Sequence, residues 1–138
     1  MRLDGRGAAL LEFALAWPVV LILVLGAVEL AVWGSEAFAA RSAALAGARA
    51  GTVAGAGPSV AAAVALRSLS PSLVGVTASP WCPGQPARAP QVWVCATDLG
   101  TAVRVEVGGS VPAVVPGVSG EGLPLHAHVV LQKEVFRT

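Results

Sequence analysis

Residues 7–33 read GAALLEFALAWPVVLILVLGAVELAVW, and no charged residue stands between Phe13 and Val28. As an α-helix rising about 1.5 Å per residue, the stretch from Ala8 to Trp33 reaches about 39 Å, enough to cross a hydrocarbon layer of about 30 Å with some tilt. The stretch therefore predicts a transmembrane helix over 8–33, with Glu12 tolerated near its start and Glu29 near its end. A removable secretory signal is the competing reading, since Arg2 and Arg6 precede the run and Ala37-Phe38-Ala39 has the small-x-small form of a cleavage site. Signal cores are usually about 7 to 15 residues long and uncharged. This run is longer, and Glu29 and Glu36 intervene before that site.

The rest of the chain agrees with an anchored protein. Of 138 residues, 55% are hydrophobic and 12% charged, about half the usual share of roughly 25%. Nine Lys and Arg balance eight Asp and Glu, and Lys133 is the sole lysine. Nothing here could grip a phosphate backbone, which excludes nucleic acid as a partner. Arg2 and Arg6 lie before the helix, with Arg41 and Arg49 farther after it, so the positive-inside bias puts the N-terminus in the cytoplasm. Cys82 and Cys95 lack metal-type CxxC spacing and have no neighbouring His. They read as a disulfide, two buried free thiols being the alternative, and disulfides persist outside the cytoplasm. Such a bridge would contribute about 3 kcal/mol.

Glu12 requires an explanation, because a charge within the membrane costs about 2.5 to 3.5 kcal/mol on insertion scales. No Lys or Arg follows within helical reach. A cut after Gly7 would create a charged α-amino group on Ala8, normally titrating near 8, that could meet the Glu12 of a neighbouring subunit.

Gly7, four small or apolar residues, Glu12-Phe13 and then an apolar helix match the prepilin peptidase processing motif. The stretch RGAALLEFALAWPVVLILVLGAVEL, with AARSAALAGARAG after it, resembles the start of TadE-like proteins, minor pseudopilins of the tight-adherence (Tad, or Flp pilus) machinery. The resemblance covers roughly the first 55 residues, in which Pro18, Glu29 and the Ala-Arg-Gly stretch are in register. It implies that Gly7 precedes the scissile bond, that Ala8 starts the mature chain and that Glu12, the fifth mature residue, serves assembly. It also implies an aspartyl prepilin peptidase as processing partner. Phe13 stands where major Flp pilins usually carry Tyr, and the chain is longer than those subunits, so the minor role fits better. The leader, Met1 to Gly7, carries Asp4 between its arginines.

Pro18 removes a hydrogen bond inside the helix and predicts a kink, which membrane helices tolerate. Trp17 and Trp33 bracket the span as interfacial anchors, Trp17 rather deeply, and Glu29 is expected near the outer headgroups. Beyond Trp33, Ala-rich sequence carries Gly47, Gly51 and Gly55 at every fourth position. That pattern reads either as a close-packing stripe or as a helix fraying towards Gly57-Pro58. It is not a phosphate loop, lacking the closing Lys-Ser/Thr. Ser59 is placed to cap a short helix from Val60 to about Leu69, stopped by Ser70-Pro71. The run from Pro80 to Pro90, with Trp81, Cys82 and Arg88, reads as a loop.

Residues QVWVCAT and TAVRVEV alternate as strands around the turn Asp98-Leu99-Gly100. Pairing Thr97 with Thr101 would set Trp93 opposite Val105 and Cys95 opposite Val103, all on one apolar face that the small-residue helix would cover. A third strand, Leu125 to Val135, turns Leu125, Ala127, Val129 and Leu131 inward. His126 and His128 share the other face, a spacing that could bind a metal, but two ligands do not make a site and no metal is expected.

No nucleophile pairs with a His in sequence, no carboxylate pair lies outside the membrane region, and no cofactor fingerprint appears, so neither enzyme activity, cofactor nor small-molecule substrate is expected. The expected fold is α+β and pilin-like: a long N-terminal helix, a short second helix and an antiparallel sheet of about three strands. Its parts are a leader (1–7), a transmembrane helix (8–33), an extracytoplasmic helical extension (34–57) and a small extracytoplasmic domain (58–138). The expected function is that of a minor pseudopilin anchored in the cell membrane by a single pass. Its partners would be the peptidase, other pilins and pseudopilins, Tad assembly-platform proteins and membrane lipid. The alternatives are an uncleaved single-pass adhesion module and a small secreted protein released after Ala39.

Overall fold

The computed structural model describes residues 5–115, 120 and 122–133. Met1–Asp4 of the expected leader, and Glu134 and Val135 at the end of the expected third strand, lie outside the described residues. Helix α1 runs unbroken from Gly5 to Thr52, through Pro18, a rod of about 72 Å at 1.5 Å per residue. Helix α2 (Pro58–Leu69) folds back along it and ends in a 3-10 turn, Ser70–Ser72. Four strands follow, β1 (Ala78–Pro80), β2 (Val92–Asp98), β3 (Ala102–Val111) and β4 (Leu123–Gln132), in that order across one sheet.

The core is a sandwich of small helix residues and branched strand residues. Ala40, Ala43, Ala44 and Ala48 of α1, with Ala61, Ala65 and Leu69 of α2, are fully buried against Val92, Val94, Val103, Val105, Val107 and Val111. Positions three, four and eight residues after Ala40 put the α1 set on one face of the helix. Both readings of the glycine stripe hold, each over part of its length. A Cβ on Gly47 would lie 2.6 Å from the Ala61 carbonyl oxygen and 2.8 Å from the Ala65 Cβ, and one on Gly51 would press on Ala61 and Val103. These two glycines let α2 approach α1 closely. Gly55, with φ of 81°, lies past the end of α1 in the turn that leads to α2. Ser59 makes no capping bond: Gly57 is the N-cap residue and Pro58 fills the first turn, where a missing N–H costs nothing.

The sheet departs from expectation in two respects. Among the described residues it has four strands and is mixed, because Ala78–Pro80 pairs in parallel with Val92–Val94. This strand is too short to alternate visibly, and Pro80, which cannot donate, is tolerated because β1 is an edge. The hairpin register also differs: Thr97 pairs with Arg104 rather than Thr101, Cys95 with Glu106 rather than Val103, and Trp93 with Gly108 rather than Val105. The turn is a two-residue loop, Gly100-Thr101, closed by Leu99 N–H donating to the Ala102 carbonyl at 2.9 Å. Gly100 takes the left-handed φ of 82° that the first loop position favours. A shift by an odd number of residues exchanges the faces of a strand. Val92 and Val94 therefore enter the core, while Trp93 and Cys95 lie on the outer face. β4 follows expectation, with Leu125, Ala127, Val129 and Leu131 more buried than the residues between them.

Gly47→Leu should destabilise the full chain in detergent micelles by about 1 to 3 kcal/mol through overpacking. Gly34→Ala, where an added Cβ meets nothing within 4 Å, should be neutral or stabilising by up to about 1 kcal/mol. Urea titration followed by circular dichroism distinguishes the two.

Candidate functional site along the long helix

Helix α1 has two halves with opposite surroundings. Leu10, Leu11, Phe13, Leu15, Ile22 and Leu23 are all exposed, and the helix's most apolar window has a mean hydropathy of 2.4 with only 6% of its residues buried. A soluble core helix of this composition would be covered by protein. The bare apolar half is consistent with a single-pass membrane anchor. Gly7 and Ala8 fall in its first turns and Glu12 is exposed on the same half. Phe13 stacks on Trp17 one turn later, with ring centroids 6.1 Å apart.

The upper half is gripped by the domain, and the grip begins at a carboxylate. Glu29 is 4% exposed, and its two oxygens accept hydrogen bonds from the backbone N–H groups of Val114 (3.2 Å) and Val115 (2.7 Å). One turn on, the Trp33 indole N–H donates to the Pro124 carbonyl at 3.0 Å. Glu36 is 2% exposed and accepts from the Val74 N–H at 2.9 Å. Glu29 and Glu36, seven residues apart in sequence, continue the stripe that runs on through Ala40, Ala43 and Gly47. The Glu29 side chain thus faces loop amides rather than headgroups. Sequence reasoning counted both carboxylates as charges and missed their partners. Their heptad spacing ahead of the buried alanines was the available signal.

The outer face of the sheet carries the disulfide between Cys82 and Cys95, which ties the Pro-rich loop to β2. Beside it Trp81 meets Trp93 edge-on at 5.5 Å, and its indole N–H donates to the Ala87 carbonyl at 3.0 Å. Trp93 lies across Gly108, where any side chain would collide with its ring. Glu106 accepts from Arg104 and pairs with His126, each at 3.2 Å. His128 stands beside His126 with ring centroids 5.8 Å apart. No group of three or more His, Cys, Asp and Glu comes together among the described residues. At the distal end of the sheet, Lys133 Nζ donates to both oxygens of Asp98 at 2.7 Å. That bond, helped by the Gly100 N–H, holds the Asp98 carboxyl below its ordinary value.

The fold and site thus define an α+β domain carried on a long helix whose N-terminal half is left for an apolar environment. The family model described as TadE-like protein matches residues 7–49, nearly the whole of α1 and none of the sheet. The resemblance expected from the sequence therefore holds over this segment. No curated protein and no solved structure gives a significant match to the chain.

Glu29→Ala should cost about 1 to 3 kcal/mol in all, by leaving two part-buried amides without their partner. Glu29→Gln, which keeps one carbonyl acceptor, should cost less. Thermal unfolding in micelles should rank the wild type above Glu29→Gln and Glu29→Ala lowest.

Proposed function

We propose that this chain is a minor pseudopilin of a Tad or Flp-type pilus assembly or secretion system, acting by association rather than catalysis. The supporting observation is the bare lower half of α1, which lies within the TadE-like match and carries Glu12 five residues after Gly7. In this reading a prepilin peptidase cuts between Gly7 and Ala8. The new α-amino group of Ala8 on one subunit then meets the Glu12 carboxylate of another, exchanging the cost of a lone charge in lipid for an ion pair. Phe13 and the apolar run supply helix-to-helix contact, and Pro18 is a point where the helix can bend as it leaves the bilayer. The N-terminus is cytoplasmic and the sheet domain, with its disulfide, extracytoplasmic.

Release after Ala39 fits the structure poorly. It would discard Glu29, Trp33 and Glu36, all bonded to the domain, and would cut beside Ala40, which is fully buried.

Amino-terminal sequencing of membrane-purified protein should find Ala8 first. A start at Met1 would favour an uncleaved tether, and a start at Ala40 a secreted protein. Glu12→Ala should be processed normally but reach the pilus fraction about tenfold less, the scale of a polar interhelical contact worth about 1 to 2 kcal/mol. Normal incorporation of that variant would contradict the assembly role.

A further inference from the structure

The Glu29 clamp fixes the depth of a loop as well as its position. The apolar run opens at Ala8, and the twenty-one residues of helix from there to Glu29 rise about 32 Å, close to the thickness of a hydrocarbon core of about 30 Å. Glu29 thus stands at the outer edge of the apolar layer. Helical side chains lean towards the helix N-terminus, so its carboxylate reaches back towards the bilayer and carries the Val114 and Val115 amides with it. Trp33, a turn higher and bonded to Pro124, sits where an indole anchors at the headgroups.

The loop held at that depth is apolar. Pro112, Ala113, Val114 and Val115 follow β3 directly, and Val114 remains 45% exposed although the domain has a core to offer it. The hydrogen bonding points the same way. Water satisfies loop amides at an ordinary protein surface, whereas irregular backbone at membrane depth must be satisfied from within the protein. Glu29 does this for two consecutive N–H groups, at the place where a buried carboxylate is hardest to justify otherwise. The opposite end of the sheet is far from this level: Val103 packs at Gly51, twenty-two residues and so about 33 Å farther along α1.

We propose that the segment Pro112–Val115 rests in the outer interface of the bilayer, with Val114 in contact with lipid, so that this chain meets the membrane through a loop as well as through its helix. The partner is a lipid surface engaged through apolar contact, without a specific headgroup. The proposal rests on α1 spanning the membrane, as read above.

The test uses the full, disulfide-intact chain reconstituted in phosphatidylcholine vesicles, with an environment-sensitive fluorophore on Val114→Cys, Leu99→Cys or Ile22→Cys. Leu99 is exposed at the distal hairpin and Ile22 lies within the span. Lipids brominated in the upper part of their acyl chains should quench labels at positions 22 and 114 and leave position 99 unchanged. Quenching at 22 but not at 114 overturns the loop contact while leaving the anchor intact. Absence of quenching at both overturns the anchor and the loop contact together. A blue-shifted label at 114 that bromolipid does not quench, and that reverts on dilution of protein in lipid, assigns the loop to a neighbouring protein and also overturns the proposal.

Discussion

The long helix changes its surroundings partway along its length, from exposed apolar side chains to a face covered by the domain, and the change begins at Glu29. Below it, α1 leaves its large apolar side chains exposed among the described residues. Above it, one face of the helix is covered continuously by α2, β3 and β4. The carboxylates of Glu29 and Glu36 sit on that face, the first receiving two backbone amides and the second one, each from a loop that has no regular partner of its own. Leaving those amides unpaired would cost about as much as the clamp gains, so the helix and the loops depend on each other.

Alanine and glycine make the remaining contact possible. A thin helix surface lets α2 and the sheet come close, and valine from the strands fills the space that larger helix residues would otherwise occupy. The domain can therefore be small and still possess a core, with the Cys82–Cys95 bridge limiting the freedom of the loop between β1 and β2 in the unfolded chain. The outer face of the sheet is polar at its centre, where Arg104, Glu106 and His126 form a chain of contacts, and aromatic at its β1 side.

Much of this was legible in the residues. The uncharged run after Phe13, the alanine stripe, the helix before Ser70-Pro71 and the alternation of β4 each carry a period strong enough to read. The register of the hairpin did not, because residues 92–95 are apolar at every position, so alternation cannot say which parity faces inward. Reading Gly100 as the third residue of a three-residue turn, where it is the first of a two-residue one, shifts the pairing by three residues and puts Trp93 and Cys95 on the wrong face. Gly108, bare opposite Trp93, was the clue to the true pairing. Strand β1 is three residues with a proline and has no pattern to find. The heptad spacing of Glu29 and Glu36 marks the buried face of the helix, but their partners are backbone amides at distant positions, which no side-chain pattern identifies. The proposed processing and assembly roles of Gly7, Ala8 and Glu12 are legible only through the family motif, because an exposed helix half offers no internal contacts to explain them.

The most direct measurement is hydrogen exchange on individual amides of the full chain in lipid nanodiscs, comparing wild type with Glu29→Ala. The clamp predicts slow exchange at Val114 and Val115 in the wild type, despite their lying outside any strand, and a return to loop-like rates at both when the carboxylate is removed. Fast exchange at these two amides in the wild type, or rates indifferent to Glu29, would contradict the account of how the domain is mounted on its helix.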